Sequence, residues 1–484
     1  MDQAKKQIQE TENPLGHAPV VRLIAKFAIP SIISMLVTAA YNITDQIFIG
    51  NLVGLLGNAA TNVAFPTVIF TMAFTQLIGI GTAANFNISI GARKREEAEK
   101  FVGTGLTLMS VVGLLIACVI LLLKTPILTL CGATENVLPY AQLYLGLTAF
   151  GIPFFLFSTA GSFLIRADGS PAYSMVCVVA GAVLNVFLDW LFMFVFGWGI
   201  QGAAAATVCG QFVSFLLCLR YFFHFRTFRI NMKMMGLQFR YVVRIAKLGT
   251  SNFINQMIMM LVNIIMNNTL AYYGALSVYG GDIPLAVSGV IAKLNSVLVA
   301  FAVGLAQGCQ PILSFNMGAK NYARVKETFK KALAFALFIS VVVFFMFQLF
   351  PRQIVSIFGS GEELYFQFAE RYMRIYLMMI CLFGVQPLSV NFFTSIGSVK
   401  QAVVLSLSRQ GFFLIPLLIF LPLQFGLDGV LYAGPTADFM AVVLSMTLVL
   451  ITFRRPEFSG AANGGASEDE TDEPGAGTET EQKD

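Results

Sequence analysis

The chain has 484 residues, 57% of them apolar and 12% charged, with a mean hydropathy of +0.75. That balance excludes an ordinary water-soluble domain and makes the bilayer the solvent for most of the sequence. The formal net charge of +5 would suit an anionic partner, but the basic residues alternate by loop, which argues for membrane topology and against nucleic-acid binding.

Residues 1–22 are polar (Lys5, Lys6, Glu10, Glu12) and lack the short apolar core of a cleavable signal, so they read as an N-terminal tail. Beyond them the apolar runs predict spans near 25–50, 59–82, 102–123, 140–161, 172–196, 200–220, 248–273, 284–311, 332–350, 375–394, 402–424 and 429–453. Most are close to the ~20 residues that cross roughly 30 Å of hydrocarbon as a helix. Alternating ten-residue strands are missing from the pattern, so the expected fold class is an all-α membrane protein of twelve transmembrane helices. The loops on one side carry basic clusters at Arg93–Arg95, between Arg220 and Lys247, and between Lys320 and Lys331. Those on the other carry only Lys124, Arg352, Arg371 and Arg374. The bias predicts a multi-pass protein of a bacterial cytoplasmic membrane with both termini in the cytoplasm.

A shift of about 227 residues superimposes Gly81, Gly91-Ala92 and Arg93 on Gly308, Gly318-Ala319 and Lys320. Further along, Cys131-Gly132 falls on Phe358-Gly359, Gly199-Ile200-Gln201-Gly202 falls on Gly426-Leu427-Asp428-Gly429, and, with one further residue of shift, Gly169-Ser170 falls on Gly397-Ser398. Two homologous six-helix bundles follow, related by an axis along the membrane normal because six is even. The expected organisation is an N-terminal lobe over 23–223, a basic linker over 224–246, a C-terminal lobe over 247–455 and an acidic, disordered tail over 456–484.

Ionisable groups inside spans cost at least a few kcal/mol unless paired or wet, so the few present are informative. Asp45 in helix one, Asp189 in helix five and Thr207 in helix six all fall roughly 8 to 12 Å below the outer surface at 1.5 Å per residue. Asn185 and Asp189 share a helical face. Two carboxylates, an amide oxygen and a hydroxyl at one depth form a hard-oxygen set suited to H+ or Na+. Their repeat counterparts fall near Phe413, Leu417 and Gly434, so the second lobe lacks this chemistry and simple helix gluing explains it less well. Lys293 and Asp438 lie at similar depth in the second lobe, either as an ion pair between helices or as substrate contacts, while Arg409 sits nearer the cytoplasm and within snorkelling reach of it. Pro30 shares helix one with Asp45 and is the expected hinge among several intramembrane prolines. Neither His17 nor His224 has cysteine at metal-ligand spacing, and no cofactor is expected.

These residues resemble the multidrug and toxic compound extrusion (MATE) family, in its bacterial DinF-like and MepA-like branch. The resemblance spans about Val21 to Arg455. It rests on Pro30, Asp45 and Gly50, the Gly91-Ala92 loop, Arg166 with Gly169-Ser170-Pro171, Asn185-x-x-x-Asp189, and Gly202-Ala203-Ala204. It implies a cation-coupling site at Asp45, Asn185, Asp189 and Thr207. The similar NorM-like branch has acids in helices seven and ten, where this chain has Asn255, Gln256, Gln386 and Asn391, with Gln256 a candidate substrate contact. The resulting expectation is a monomeric antiporter, not an enzyme, that exports small amphipathic and often cationic organic compounds by alternating access. The alternatives are a lipid-linked saccharide flippase of the same architecture and, lower, a membrane-embedded enzyme, for which no nucleophile, metal or acid–base set stands out.

Overall fold

A computed structural model describes residues 13–231, 234–280, 282–356 and 363–459. Among the described residues, twelve helices are long and apolar enough to span a membrane: α1 (Val20–Leu52), α2 (Leu56–Gly91), α3 (Arg95–Leu130), α4 (Leu138–Ala167), α5 (Pro171–Val195), α6 (Gly199–Phe223), α7 (Phe239–Ala275), α8 (Val287–Gly318), α9 (Tyr322–Leu349), α10 (Glu363–Ser395), α11 (Val399–Phe425) and α12 (Leu427–Phe453). No strand occurs among the described residues. Most helices run past the predicted spans because hydropathy marks only what hydrocarbon covers. α7 starts at Phe239, within the stretch expected to be linker, because Arg240, Arg244 and Lys247 lower the hydropathy of its first turns without breaking the helix. For the same reason the first half of α10, Glu363–Tyr376, was not apparent as part of a span; it is followed by a 3₁₀ turn, Met378–Leu382, and a second α segment, Val385–Ser395.

The internal repeat is visible in backbone geometry. Arg93 and Lys320, paired by the shift, both have φ 57° and are the only non-glycine residues with positive φ among those described. Gly169 and Gly397 (φ 84° and 80°) and Gly199 and Gly426 (φ 55° and 58°) form two further matched turns in the left-handed region that favours glycine. Phe358-Gly359 lies outside the described residues.

The two lobes exchange their first helices at the terminal face, where the described residues begin and end. Leu23, Phe27 and Ala28 of α1 are buried in one core with Leu305, Ile312 and Phe329 of α8 and α9. Reciprocally, Tyr241 and Ile245 of α7 pack on Phe101 of α3, and Arg244 lies 4.7 Å above the Phe101 ring while pairing with Glu97. The chain ahead of α1 joins in through the short helix Pro14–His17, whose Leu15 is buried. Phe458, beyond the expected end of the second lobe, packs on Phe453 and Tyr322. The predicted tails are otherwise residues 1–12 and 460–484, outside the described part.

Close backbone approach seals that face. A Cβ on Gly91 would lie 2.0 Å from the Phe315 carbonyl oxygen, and one on Gly318 would lie 2.1 Å from that of Ile88. The ends of α2 and α8 can cross this closely only because both positions are glycine. Asn85 donates to the Arg244 carbonyl at 3.2 Å and Gln310 to the Ile80 carbonyl at 3.3 Å, so the seam is also hydrogen-bonded.

Candidate coupling site and central cavity

α5 brings Asn185 and Asp189 to a buried face against α1 and α6, where Asn185 Nδ2 donates to Thr207 Oγ1 at 3.4 Å. Asp189 is fully buried, and neither of its carboxylate oxygens has a hydrogen-bond partner. Asp45 Oδ1 and Asn185 Oδ1 are likewise buried without a donor. Asp45 and Asp189 are within electrostatic reach of one another. The structure therefore brings together the four residues expected from the sequence. Buried acceptors without donors carry the full desolvation cost of each group, and their convergence fits a bound proton or a hard cation such as Na+.

Two tyrosines that do not stand out in the sequence, Tyr41 and Tyr144, join this set. Both are within reach of the Asp45 and Asp189 charges. Tyr41 is one helical turn before Asp45, and that i, i+4 spacing was the available signal. Tyr144 comes from α4, and nothing local in the sequence indicates its approach.

Immediately after Asp189 the backbone widens into a π-helical stretch, Trp190–Val195. The second lobe has its own, Ser408–Leu414, which contains Arg409. Such stretches are rare and frequent at functional sites, and here each lobe places one beside an intramembrane charge.

Between the lobes lies a cavity of about 770 Å³. It is lined beside the seam by Gln307 and Ile80, and toward the far ends of α1 and α2 by Ile47 and Asn58. The cavity thus extends from the seam toward the opposite ends of the helices. Asp45, Asn185, Asp189 and Thr207 do not line this cavity. α1 serves both regions: Tyr41 and Asp45 face the buried site, while Thr38, Asn42 and Gln46 line the cavity.

Lys293, Asp438, Arg409 and Gln256 all line the cavity, as do Asn255, Gln386 and Asn391. Of the two readings of Lys293 and Asp438, the ion pair between them does not form, because Asp438 Oδ1 pairs with Arg409 Nε. Lys293 has no carboxylate partner among the described residues, and its backbone oxygen accepts from Ser296 Oγ at 2.7 Å. Nor does Arg409 snorkel, because an intramembrane carboxylate on α12 compensates its charge better than a distant interface would. Its guanidinium also lies 5.9 Å from the Phe383 ring centroid.

Pro30 lies inside α1, which runs unbroken from Val20 to Leu52. Lacking an N–H, it leaves one carbonyl of the preceding turn without its helical donor. Around it Ser31 Oγ donates to Phe27 O, Ser34 Oγ to Pro30 O and Thr38 Oγ1 to Ser34 O, each at 2.8 Å. Such back-bonding bends helices.

Twelve helices in two repeats, a close-packed seam on one face and a cavity between the lobes lined by both polar and apolar side chains constitute the architecture of a membrane transporter. The chain belongs to the MatE family, whose model matches residues 30–191 and 252–420, together more than half of the sequence. Among curated proteins it is similar to "Multidrug export protein MepA" of Staphylococcus aureus, 24% identical over 440 residues, covering 90% of this chain and 94% of the relative. Among solved structures it resembles one described as the outward-facing conformation of a multidrug resistance MATE family transporter, with TM-score 0.83 and 22% identity over 89% of this chain and 95% of the other. A transporter from Pyrococcus furiosus, described as having reverse polarity of its binding pocket, also has TM-score 0.83, with 21% identity over 93% and 98% of the two chains.

Proposed function

We propose that this protein is a cation-coupled antiporter that exports amphipathic organic compounds across the plasma membrane, acting as a monomer with both termini cytoplasmic. The observation that carries the reading is the pairing, on one helix, of a buried acceptor set with a separate cavity. Uptake of H+ or Na+ at Asp45 and Asp189 neutralises acceptors that have no donor and mutual repulsion that has no counter-charge. That changes how α1 packs on α5, and α1 transmits the change to the cavity through Thr38, Asn42 and Gln46. Pro30 supplies the flexible point, and alternation between the two lobes exposes the cavity to either side. The loop charge bias supports the cytoplasmic assignment of the sealed face, so the cavity opens outward in this conformation.

The test is dye efflux in inverted vesicles under an imposed pH or Na+ gradient. Asp45→Asn and Asp189→Asn are each expected to abolish gradient-dependent transport while leaving the protein folded. Unchanged gradient-dependent transport in both variants would overturn the mechanism, and the gradient that drives the wild type identifies the ion.

A further inference from the structure

The charges that line the cavity are Lys293, Arg409 and Asp438, and among the described residues no other acid or base does. Asp438 is committed to Arg409, so the pair is close to neutral. Lys293 remains as an exposed ammonium with no carboxylate partner among the described residues. The remaining polar lining is neutral amide and hydroxyl, including Asn255, Gln256 and Asn295, which serves anionic and cationic guests alike. The apolar lining includes Met35, Met72 and Met259, flexible thioethers that adapt to irregular hydrophobic bodies.

A lipophilic cation entering this space meets one uncompensated like charge and no free carboxylate. An anion meets the Lys293 ammonium and the Arg409 Nη groups, which make no hydrogen bond of their own to the described protein. We propose that the cavity selects amphipathic compounds bearing a carboxylate, with Lys293 as the residue that reads the charge and Arg409, held in place by Asp438, as a second donor. This rests on the transport reading only for its biological sense; the binding preference stands on the cavity alone.

The test is equilibrium binding to the purified full chain in detergent, without any ion gradient, using pyrenebutyrate and its cationic counterpart pyrenebutyltrimethylammonium. A charge-assisted contact supports an expected preference of about ten-fold or more for the anion. Lys293→Gln is expected to remove about ten-fold of the anion affinity without weakening the cation, and Lys293→Arg to retain the preference. Equal or tighter binding of the cation, or a preference unchanged in Lys293→Gln, overturns the proposal. Displacement of pyrenebutyrate by lysophosphatidylglycerol at lower concentration than by decanoate would also overturn the carboxylate assignment, giving the site to a lipid phosphate. Because no gradient is involved, loss of transport in the Asp45 or Asp189 variants leaves this result untouched, and the reverse also holds.

Discussion

Asp168, one residue beyond α4, shows how a single carboxylate ties down the connection between the lobes. It accepts from Tyr221 Oη at 2.8 Å, Arg226 N at 2.7 Å, Thr227 N at 3.0 Å and Thr227 Oγ1 at 2.5 Å. Burial pushes its carboxyl above the ordinary range, and these hydrogen bonds only partly offset that effect. A raised folded-state value means that the folded protein holds the proton more tightly than the unfolded chain. This group's contribution therefore favours folding most at low pH and declines as pH rises through the carboxylate range. Asp168→Ala leaves those donors without their acceptor and is expected to cost roughly 2–3 kcal/mol. Thermal melting should show the loss, and limited proteolysis should show faster cleavage after Phe223. An unchanged melt and cleavage pattern would show that water replaces the carboxylate.

At the level of elements, α1 is the helix on which the proposed mechanism turns, because it touches everything that has to communicate. Its first half is buried in the second lobe, where a Cβ on Gly308 would lie 2.4 Å from Ala28 Cα and one on Gly304 would lie 2.7 Å from Ile32 Cα. Its second half packs on α5 and carries Asp45. Pro30 and the back-bonded Ser31, Ser34 and Thr38 separate the two halves. Pro30→Ala restores a helix hydrogen bond and stiffens this point, so the variant is expected to melt no lower than the parent and still bind substrate, yet to lose most gradient-driven efflux. Binding isotherms beside vesicle transport check this. Full transport by a Pro30→Ala variant would remove the hinge from the mechanism.

Across the whole molecule, the conformation is held by the seam between α2 and α8 together with the exchanged helix starts. Arg166 adds to it: buried, with its guanidinium 4.7 Å from the Phe163 ring, it donates to Gln307 Oε1 across the lobes at 3.2 Å. Replacing Gly91 or Gly318 with alanine forces a Cβ into the facing backbone, which neither rotamer changes nor side-chain shifts can relieve. Each variant is expected to bias the protein away from the conformation closed at the terminal face. Double electron–electron resonance between spin labels at Lys94 and Lys320 should then report longer distances than in the parent. An unchanged distance distribution would show that the seam has slack.

The number of spans, their all-helical character, the 227-residue repeat and the matched turns were legible in the sequence. All follow from local physics: hydrocarbon thickness fixes segment length, and positive φ selects glycine. The acid set was legible as well, because depth follows from counting residues at a fixed rise and Asn185 and Asp189 share a face by spacing alone. Tertiary structure decided what depends on how helices rotate about their axes and cross. It put Tyr144 beside the two carboxylates, gave Asp438 to Arg409 instead of Lys293, let α1 and α7 begin in the opposite lobe, and separated the buried acceptors from the cavity. Hydropathy is nearly blind to rotation when lipid and protein interior are equally apolar, so those contacts come from packing between helices distant in the chain.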